Sequence, residues 1–261
     1  MLKSNRAKDR MASGQAVFGC MMQQLRSTEV PRVFAAAGFD FLFIDTEHGS
    51  FDLETVRDLV QVSLTSGITP IVRVGELQYS LIARALDVGA QGVILPRVED
   101  AAMLARAISW TKFPPSGVRG FGIAGPLLDY ESAQFSEIVA HLNTNTLVIV
   151  QFESEFALTH SRELLSVPGI DVALVGPADL SISLGLPGEF EHPRLVSAIE
   201  QFCEDCRRHE IVPGIQVRTP SLAQKWATRG MRFIGCGSEH SLLLEKAKES
   251  VETLRRSSSQ N

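Results

Sequence analysis

One unit recurs along this chain and restricts the folds open to it: an amphipathic helical stretch, a glycine, then a short apolar run. It reads AAAG-FDFLFID around Gly38, LTSG-ITPIVRV around Gly67 and LDVGAQG-VILPRV around Gly89. It returns as SVPG-IDVALVG around Gly169 and ATRG-MRFIGCG around Gly230. A glycine directly after a helix takes the left-handed backbone that closes it, which side chains with a Cβ resist. Runs apolar at nearly every position suit parallel strands covered on both faces. With AVFGCMM, TLVIVQFE and VPGIQV the count reaches eight strands, each followed by a helical pattern or room for one. Leu53, Val56, Leu59, Val60 and Leu64 form one such stripe, with Asp52 placed to cap the helix and Glu54 in its first turn. Eight βα units in 261 residues predict an α/β fold, a (β/α)8 barrel. The expected organisation is one domain over 1–261, with loose tails at about 1–13 and 257–261. A doubly wound open sheet would need a glycine-rich phosphate loop after its first strand, where this chain has FGCMMQQL.

Composition narrows the partners. Hydrophobic residues make up 44% of the chain and charged ones 21%, enough for a sizeable core. The formal net charge is −5, and no Lys/Arg block interleaves with aromatics, which argues against nucleic acid. No apolar run is long enough to span a bilayer, and the opening MLKSNRAKDRMASGQ lacks the apolar core of a secretory leader. Cys203 and Cys206 fall on a predicted helix, Cys20 and Cys236 in apolar strands, without further ligands at zinc spacing. They read as free buried thiols, and a cytoplasmic location is expected.

Barrel chemistry sits at the C-terminal ends of the strands. Those positions read Asp45-Thr46-Glu47-His48, Arg73, Pro96-Arg97, Gln151-Phe152-Glu153, Gly176-Pro177-Ala178-Asp179 and Gly235-Cys236-Gly237-Ser238. Glu153 and Asp179 follow neighbouring strands, so their carboxylates can converge on Mg²⁺ or Mn²⁺ and leave positions for water and substrate oxygens. Each carboxylate can equally serve as a helix cap. Ala178 and Asp179 open a predicted helix, whose free N–H groups suit an anionic carboxylate. None of the lysines falls at a strand end, so a Schiff base lacks its amine and an aldol reaction here would need a metal as electron sink. One interval, KFPPSGVRGFGIAGPLLDY, is rich in Gly and Pro and long for a connector; it is expected to border the active site.

Taken together, AAGFDFLFIDTEHGSFD, PIVRV, ARALDVGAQGVILPRVED, FPPSGVRGFG, VIVQFES and DVALVGPADLSISLGLPG resemble the class II pyruvate aldolases typified by hydroxy-oxo-heptanedioate aldolase, in the phosphoenolpyruvate/pyruvate barrel superfamily. The match runs in order from about Ala36 to Pro193 and continues more loosely through VPGIQV and FIGCGS. The resemblance implies reversible cleavage of 4-hydroxy-2-oxo acids to pyruvate and an aldehyde through a pyruvate enolate. It implies that Glu153 and Asp179 ligate a divalent ion, Mg²⁺ or Mn²⁺ first and Co²⁺ or Zn²⁺ next. Gln151, Ala178 and Asp179 would hold the oxo acid, and Arg73 the enolate oxygen. His48 would move the proton, oriented and made more basic by Asp87. It also implies a homohexamer, a trimer of dimers, with the last helix exchanged between subunits. The chain departs from this pattern at Gly75, where relatives carry proline, and at IAGPLLDY, where they carry an arginine–alanine pair. Two other outcomes stay open: an oxaloacetate decarboxylase or other enolate-trapping lyase on the same site, and a non-catalytic barrel that binds oxo acids.

Overall fold

The structure, a computed structural model, describes residues 2–122, 128 and 132–258. Eight parallel strands close on themselves in sequence order: β1 Val17–Met22, β2 Phe41–Asp45, β3 Thr69–Arg73, β4 Gly92–Leu95, β5 Leu147–Phe152, β6 Val172–Val175, β7 Val212–Val217 and β8 Phe233–Ser238. All five glycines of the recurring unit have left-handed backbones, with φ between 77° and 106°. The helix α3 (Leu53–Ser66) follows β2 as its stripe requires, and Asp52 caps it by accepting the Thr55 N–H at 2.8 Å. The helices α2 (Glu29–Ala37), α4 (Tyr79–Asp87), α5 (Ala101–Ser109), α6 (Phe135–Asn145), α9 (Pro177–Ser183), α10 (Pro193–Arg208), α11 (Pro220–Ala227) and α12 (Glu239–Ser258) complete the outer layer. Between β5 and β6 the chain makes two short helices, α7 (Glu155–Thr159) and α8 (Ser161–Leu165).

Alternation along the strands places the site. Phe41, Phe43, Ile71, Ile94, Leu147, Ile149, Val172, Leu174 and Phe233 form one buried cluster inside the barrel, while Leu42, Ile44, Val72, Val148, Val150 and Val175 belong to the larger cluster beneath the helices. Successive side chains on a strand point to opposite faces. The same parity therefore turns Asp45, Arg73, Gln151 and Glu153 inward, above the apolar plug and at the mouth. All four of these polar residues are buried.

Two expectations are corrected. The N-terminal segment is not a loose tail over 1–13, because it contains α1 (Arg6–Ala12). Asn5 caps that helix and donates to the carbonyls of Gln91 at 2.9 Å and Asn145 at 2.8 Å. Ala7 and Met11 are buried in the interior cluster, so α1 closes the base of the barrel, where strand starts would leave apolar side chains exposed. The sequence RAKDRMA offers only three apolar residues, too few to show a helical period. The Gly/Pro-rich interval, for its part, follows α5 and so starts at the base, not at a strand end. Lys112 Nζ there donates to the carbonyls of Asn143 (2.7 Å) and Thr146 (3.0 Å), just before β5 begins. Within that interval, 123–127 and 129–130 lie outside the described residues, as do 259–261 of the expected C-terminal tail, whereas α12 continues to Ser258.

Among the described residues no helix is long and apolar enough to cross a membrane. The four cysteines are free. Burial pushes the thiol of Cys20 up to about 12 and that of Cys203 up to about 11.

Candidate active site

A closed ring of polar contacts occupies the mouth. The guanidinium of Arg73, at the end of β3, meets Asp45 at the end of β2 through two parallel bonds, Nε to Oδ1 at 2.9 Å and Nη2 to Oδ2 at 2.7 Å. The β2–β3 register pairs these two residues directly. Asp45 also accepts from Gln23 Nε2 at 2.8 Å and from the backbone N–H groups of Glu47 and His48. Burial opposes ionisation of Asp45, but the bonds and charge of Arg73 outweigh it and hold the carboxyl below its ordinary range. By the same pairing Arg73 is held above its ordinary value despite burial.

The remaining edge of Arg73, Nη1, faces Gln151 Oε1 at 3.5 Å and Glu47 Oε2 at 3.2 Å. The second approach is within ion-pair range but not aligned as a hydrogen bond, so Glu47 Oε2 has no hydrogen-bond donor. Gln151 donates to Glu153 Oε2 at 2.5 Å, and Glu153 Oε1 accepts the backbone N–H of Arg97 at 2.9 Å. The Arg97 side chain closes the ring by donating from Nε to Glu47 Oε1 at 2.7 Å.

Glu153 is the group under most electrostatic pressure. Burial, then the charge of Glu47, then that of Asp179, raise its carboxyl above the ordinary glutamate range, against the Arg97 N–H and Arg73. Asp179 stands exposed in the first turn of α9, and no hydrogen bond or ion pair engages its carboxylate among the described residues. Ala178 beside it has one of the N–H groups that the start of a helix leaves without an internal partner. Gly176 keeps a cradle open beneath them: a Cβ there would lie 3.0 Å from Gln151 Nε2 and 3.3 Å from Glu153 Oε2. Among the described residues no three His, Cys, Asp or Glu side chains group as a ready ligand set; the carboxylates of the mouth are those of Asp45, Glu47, Glu153 and Asp179.

The structure thus brings Arg73, Gln151, Glu153, Ala178 and Asp179 to one mouth. It does not bring His48 and Asp87 together. His48 is half-exposed on the rim, with Nε2 3.8 Å from Glu47 Oε1. Asp87 is the last residue of α4, which runs back from the mouth towards the base. Its partner is Arg119 at 3.3 Å, and burial raises its carboxyl against the pull of that guanidinium.

Sequence reasoning missed three participants. Asp45 and Glu47 have no role in the sequence reading, because the strand register that sets Asp45 beside Arg73, and the fold that brings Glu47 to the same guanidinium, leave no local mark. Glu239, at the start of α12, is buried and takes the backbone N–H groups of Gln23 (3.1 Å), Gln24 (2.6 Å) and Leu25 (2.9 Å) on its Oε1. It fixes the loop whose Gln23 holds Asp45, and the only available signal was an acidic residue at a strand-to-helix junction.

Acidic groups and a fixed guanidinium converging at the strand ends mark a barrel of the enzymatic kind. Residues 21–245 match the family described as HpcH/HpaI aldolase/citrate lyase. The 4-hydroxy-2-oxo-heptane-1,7-dioate aldolase of Salmonella dublin is 32% identical over 247 residues, 94% of this chain and 92% of its own length. An HpcH/HpaI aldolase from Desulfitobacterium hafniense DCB-2 superposes with a TM-score of 0.90 at 27% identity, covering 95% of this chain and 96% of that one. The citrate synthase SbnG superposes with a TM-score of 0.85 at 27% identity, covering 97% and 98%. The chain belongs to the HpcH/HpaI aldolase/citrate lyase family and is a carbon–carbon lyase.

Proposed function

We propose that this enzyme is a divalent-metal-dependent aldolase that reversibly cleaves 4-hydroxy-2-oxo acids to pyruvate and an aldehyde. The observation that carries the proposal is a buried Glu153 whose carboxyl is raised by burial and by the charges of Glu47 and Asp179, above a Gly176 cradle and beside a guanidinium that Asp45 locks in place. Like charges that raise one another favour a cation between them, and carboxylate oxygens suit Mg²⁺ or Mn²⁺, with Co²⁺ or Zn²⁺ as weaker candidates. Glu153 and Asp179 would hold the ion, which when bound supplies Lewis acidity to the 2-oxo oxygen of the substrate.

The chain's own groups do the rest. The N–H groups of Ala178 and Asp179 receive the substrate carboxylate, and Gln151 aligns the oxo group. In the cleavage direction His48, through a water, accepts the proton of the 4-hydroxyl. The C3–C4 bond breaks, its electron pair passes towards the C2 oxygen, and the aldehyde leaves. Arg73 Nη1 faces the developing oxyanion, and a proton returned to C3 completes pyruvate.

Asp87 can serve His48 only from a second copy of the chain, since the two lie towards opposite ends of one barrel. Leu243, Leu244, Val251 and Leu254 of α12 are exposed, as expected of a helix that packs on a neighbour; a cytoplasmic homohexamer, a trimer of dimers with α12 exchanged, accommodates both features.

A coupled assay of pyruvate release over a panel of 4-hydroxy-2-oxo acids, with and without chelator, tests the proposal. Cleavage that stops with chelation and returns with Mg²⁺ or Mn²⁺ is the expected result, and cleavage that survives complete metal removal contradicts it. The likeness to a citrate synthase favours one second reading, capture of the enolate by another electrophile. That reading gains if pyruvate enolises on the enzyme while no aldehyde adds to it.

A further inference from the structure

We propose, resting on the aldolase reading above and on the second-copy role it gives Asp87, that Arg119 is a positioning residue: it takes one oxygen of the Asp87 carboxylate and leaves the other for His48 of a second copy. Arg119 belongs to the Gly/Pro-rich interval after α5, which the proposed reaction does not otherwise use. Packing alone does not account for a guanidinium there. The Arg119 side chain is 1% exposed, and its Nε has no hydrogen-bond partner. Among the described residues its one ion pair is a single contact, Nη2 to Asp87 Oδ1 at 3.3 Å. Burying a charge with so little compensation is costly, and a methionine would fill similar space without that cost.

Geometry leaves half of the carboxylate open. Asp45 gives both of its oxygens to Arg73, whereas Asp87 gives Arg119 only Oδ1. Beside Asp87 Oδ2 stands Gly122, where an added Cβ would lie 3.3 Å away, so the bare glycine keeps that oxygen approachable. The Asp87 side chain is 27% exposed, which leaves a path from outside the chain. The interval meanwhile holds Arg119 still. Its N–H donates to the Lys112 carbonyl at 3.3 Å, and the Gly120 N–H donates to the Tyr79 hydroxyl at 2.8 Å. The Phe113 ring covers the guanidinium at 4.8 Å. Residues 119–120 thus touch α4 at its first residue, Tyr79, and at its last, Asp87.

Charge follows the geometry. Burial raises the Asp87 carboxyl, and Arg119 opposes that rise through its charge and its bond. The other titratable groups around the guanidinium are Tyr79 and Lys112, and Lys112 turns its amine to the carbonyls of Asn143 and Thr146. Without Arg119 the Asp87 carboxyl rises further. The last proton of a His48–Asp87 pair then leaves at higher pH, because it can reside on either partner.

The test measures kcat, KM and the pH profile of pyruvate release by the Mn²⁺-loaded enzyme. Arg119→Met should lower kcat about 10–100-fold with little change in KM, and should move the acid limb of kcat to higher pH. Arg119→Lys keeps the charge and should return the limb close to that of wild type. Arg119→Met combined with Asp87→Asn should fall no further than Asp87→Asn alone, since one residue acts through the other. A limb that stays in place in Arg119→Met overturns the proposal, as do losses that multiply in the double variant or an Asp87→Asn enzyme as active as wild type. Gly122→Ala decides the matter if Arg119→Met does not fold, because it crowds Asp87 Oδ2 and leaves Arg119 in place. It should lower kcat in wild type and not in Asp87→Asn; an equal effect in both overturns the proposal. Deuterium exchange into the pyruvate methyl group separates the two levels. A wild type that cleaves and exchanges while the variants fail these expectations sinks only the role of Arg119, whereas one that neither exchanges nor cleaves sinks the aldolase reading with it.

Discussion

At the scale of single residues, the pair of Asp45 and Arg73 fixes the geometry of the mouth. The Asp45 carboxyl is held below its ordinary 3.8 although it is buried. The stability it contributes is therefore fully present above that ordinary value and is lost as pH falls through the depressed one. Asp45→Asn leaves a buried guanidinium without its counter-charge, and should lower stability by about 3–5 kcal/mol near neutral pH in urea unfolding. The gap from wild type should stay flat down to about pH 4 and close below it; a gap that widens on acidification would contradict the assignment. Arg73→Lys keeps the charge but loses the two-pronged grip, and kcat should fall on the order of 10²–10³. The placement of Arg73, Gln151, Glu153 and Asp179 at the mouth was legible in the sequence, because each ends or closely follows an apolar strand. Asp45 and Glu47 were not legible as partners of Arg73, since their contacts depend on a strand register that no local pattern reveals.

At the scale of elements, α12 is tied to the site by Glu239, whose carboxylate holds the loop between β1 and α2. Glu239→Gln should lower kcat about 10–100-fold, the range for a group that orients another, with a smaller change in KM. Amide exchange at Gln23, Gln24 and Leu25 should quicken in parallel; a purely structural role would lower stability and leave the balance of kcat and KM untouched. The base has its own test in Met11→Ala, which empties part of the interior cluster and should cost about 2–5 kcal/mol in thermal or denaturant unfolding. The strands and glycine-capped helices were readable because their periods and left-handed turns leave marks in the sequence. Two features were not readable: α1 buries just two side chains in the interior, and the Gly/Pro-rich interval starts at the base because a whole helix, α5, stands between it and β4.

At the scale of the whole molecule, His48 and Asp87 lie towards different ends of one barrel, so the proposed proton-transfer pair would need more than one chain. Mixing His48→Ala with Asp87→Ala subunits should recover part of the activity that each lacks alone, measured as pyruvate release after co-refolding; no recovery would remove Asp87 from the site. The barrel itself was legible as a count of eight units, whereas the separation of these two residues emerged only from the direction in which α4 runs. Everything else depends on Glu153 and Asp179 sharing one ion. Calorimetric titration of Mn²⁺ into metal-free enzyme with pyruvate present tests that most directly. One ion per chain is expected in wild type, with binding lost or greatly weakened in both Glu153→Gln and Asp179→Asn; wild-type affinity retained by either variant would contradict the account.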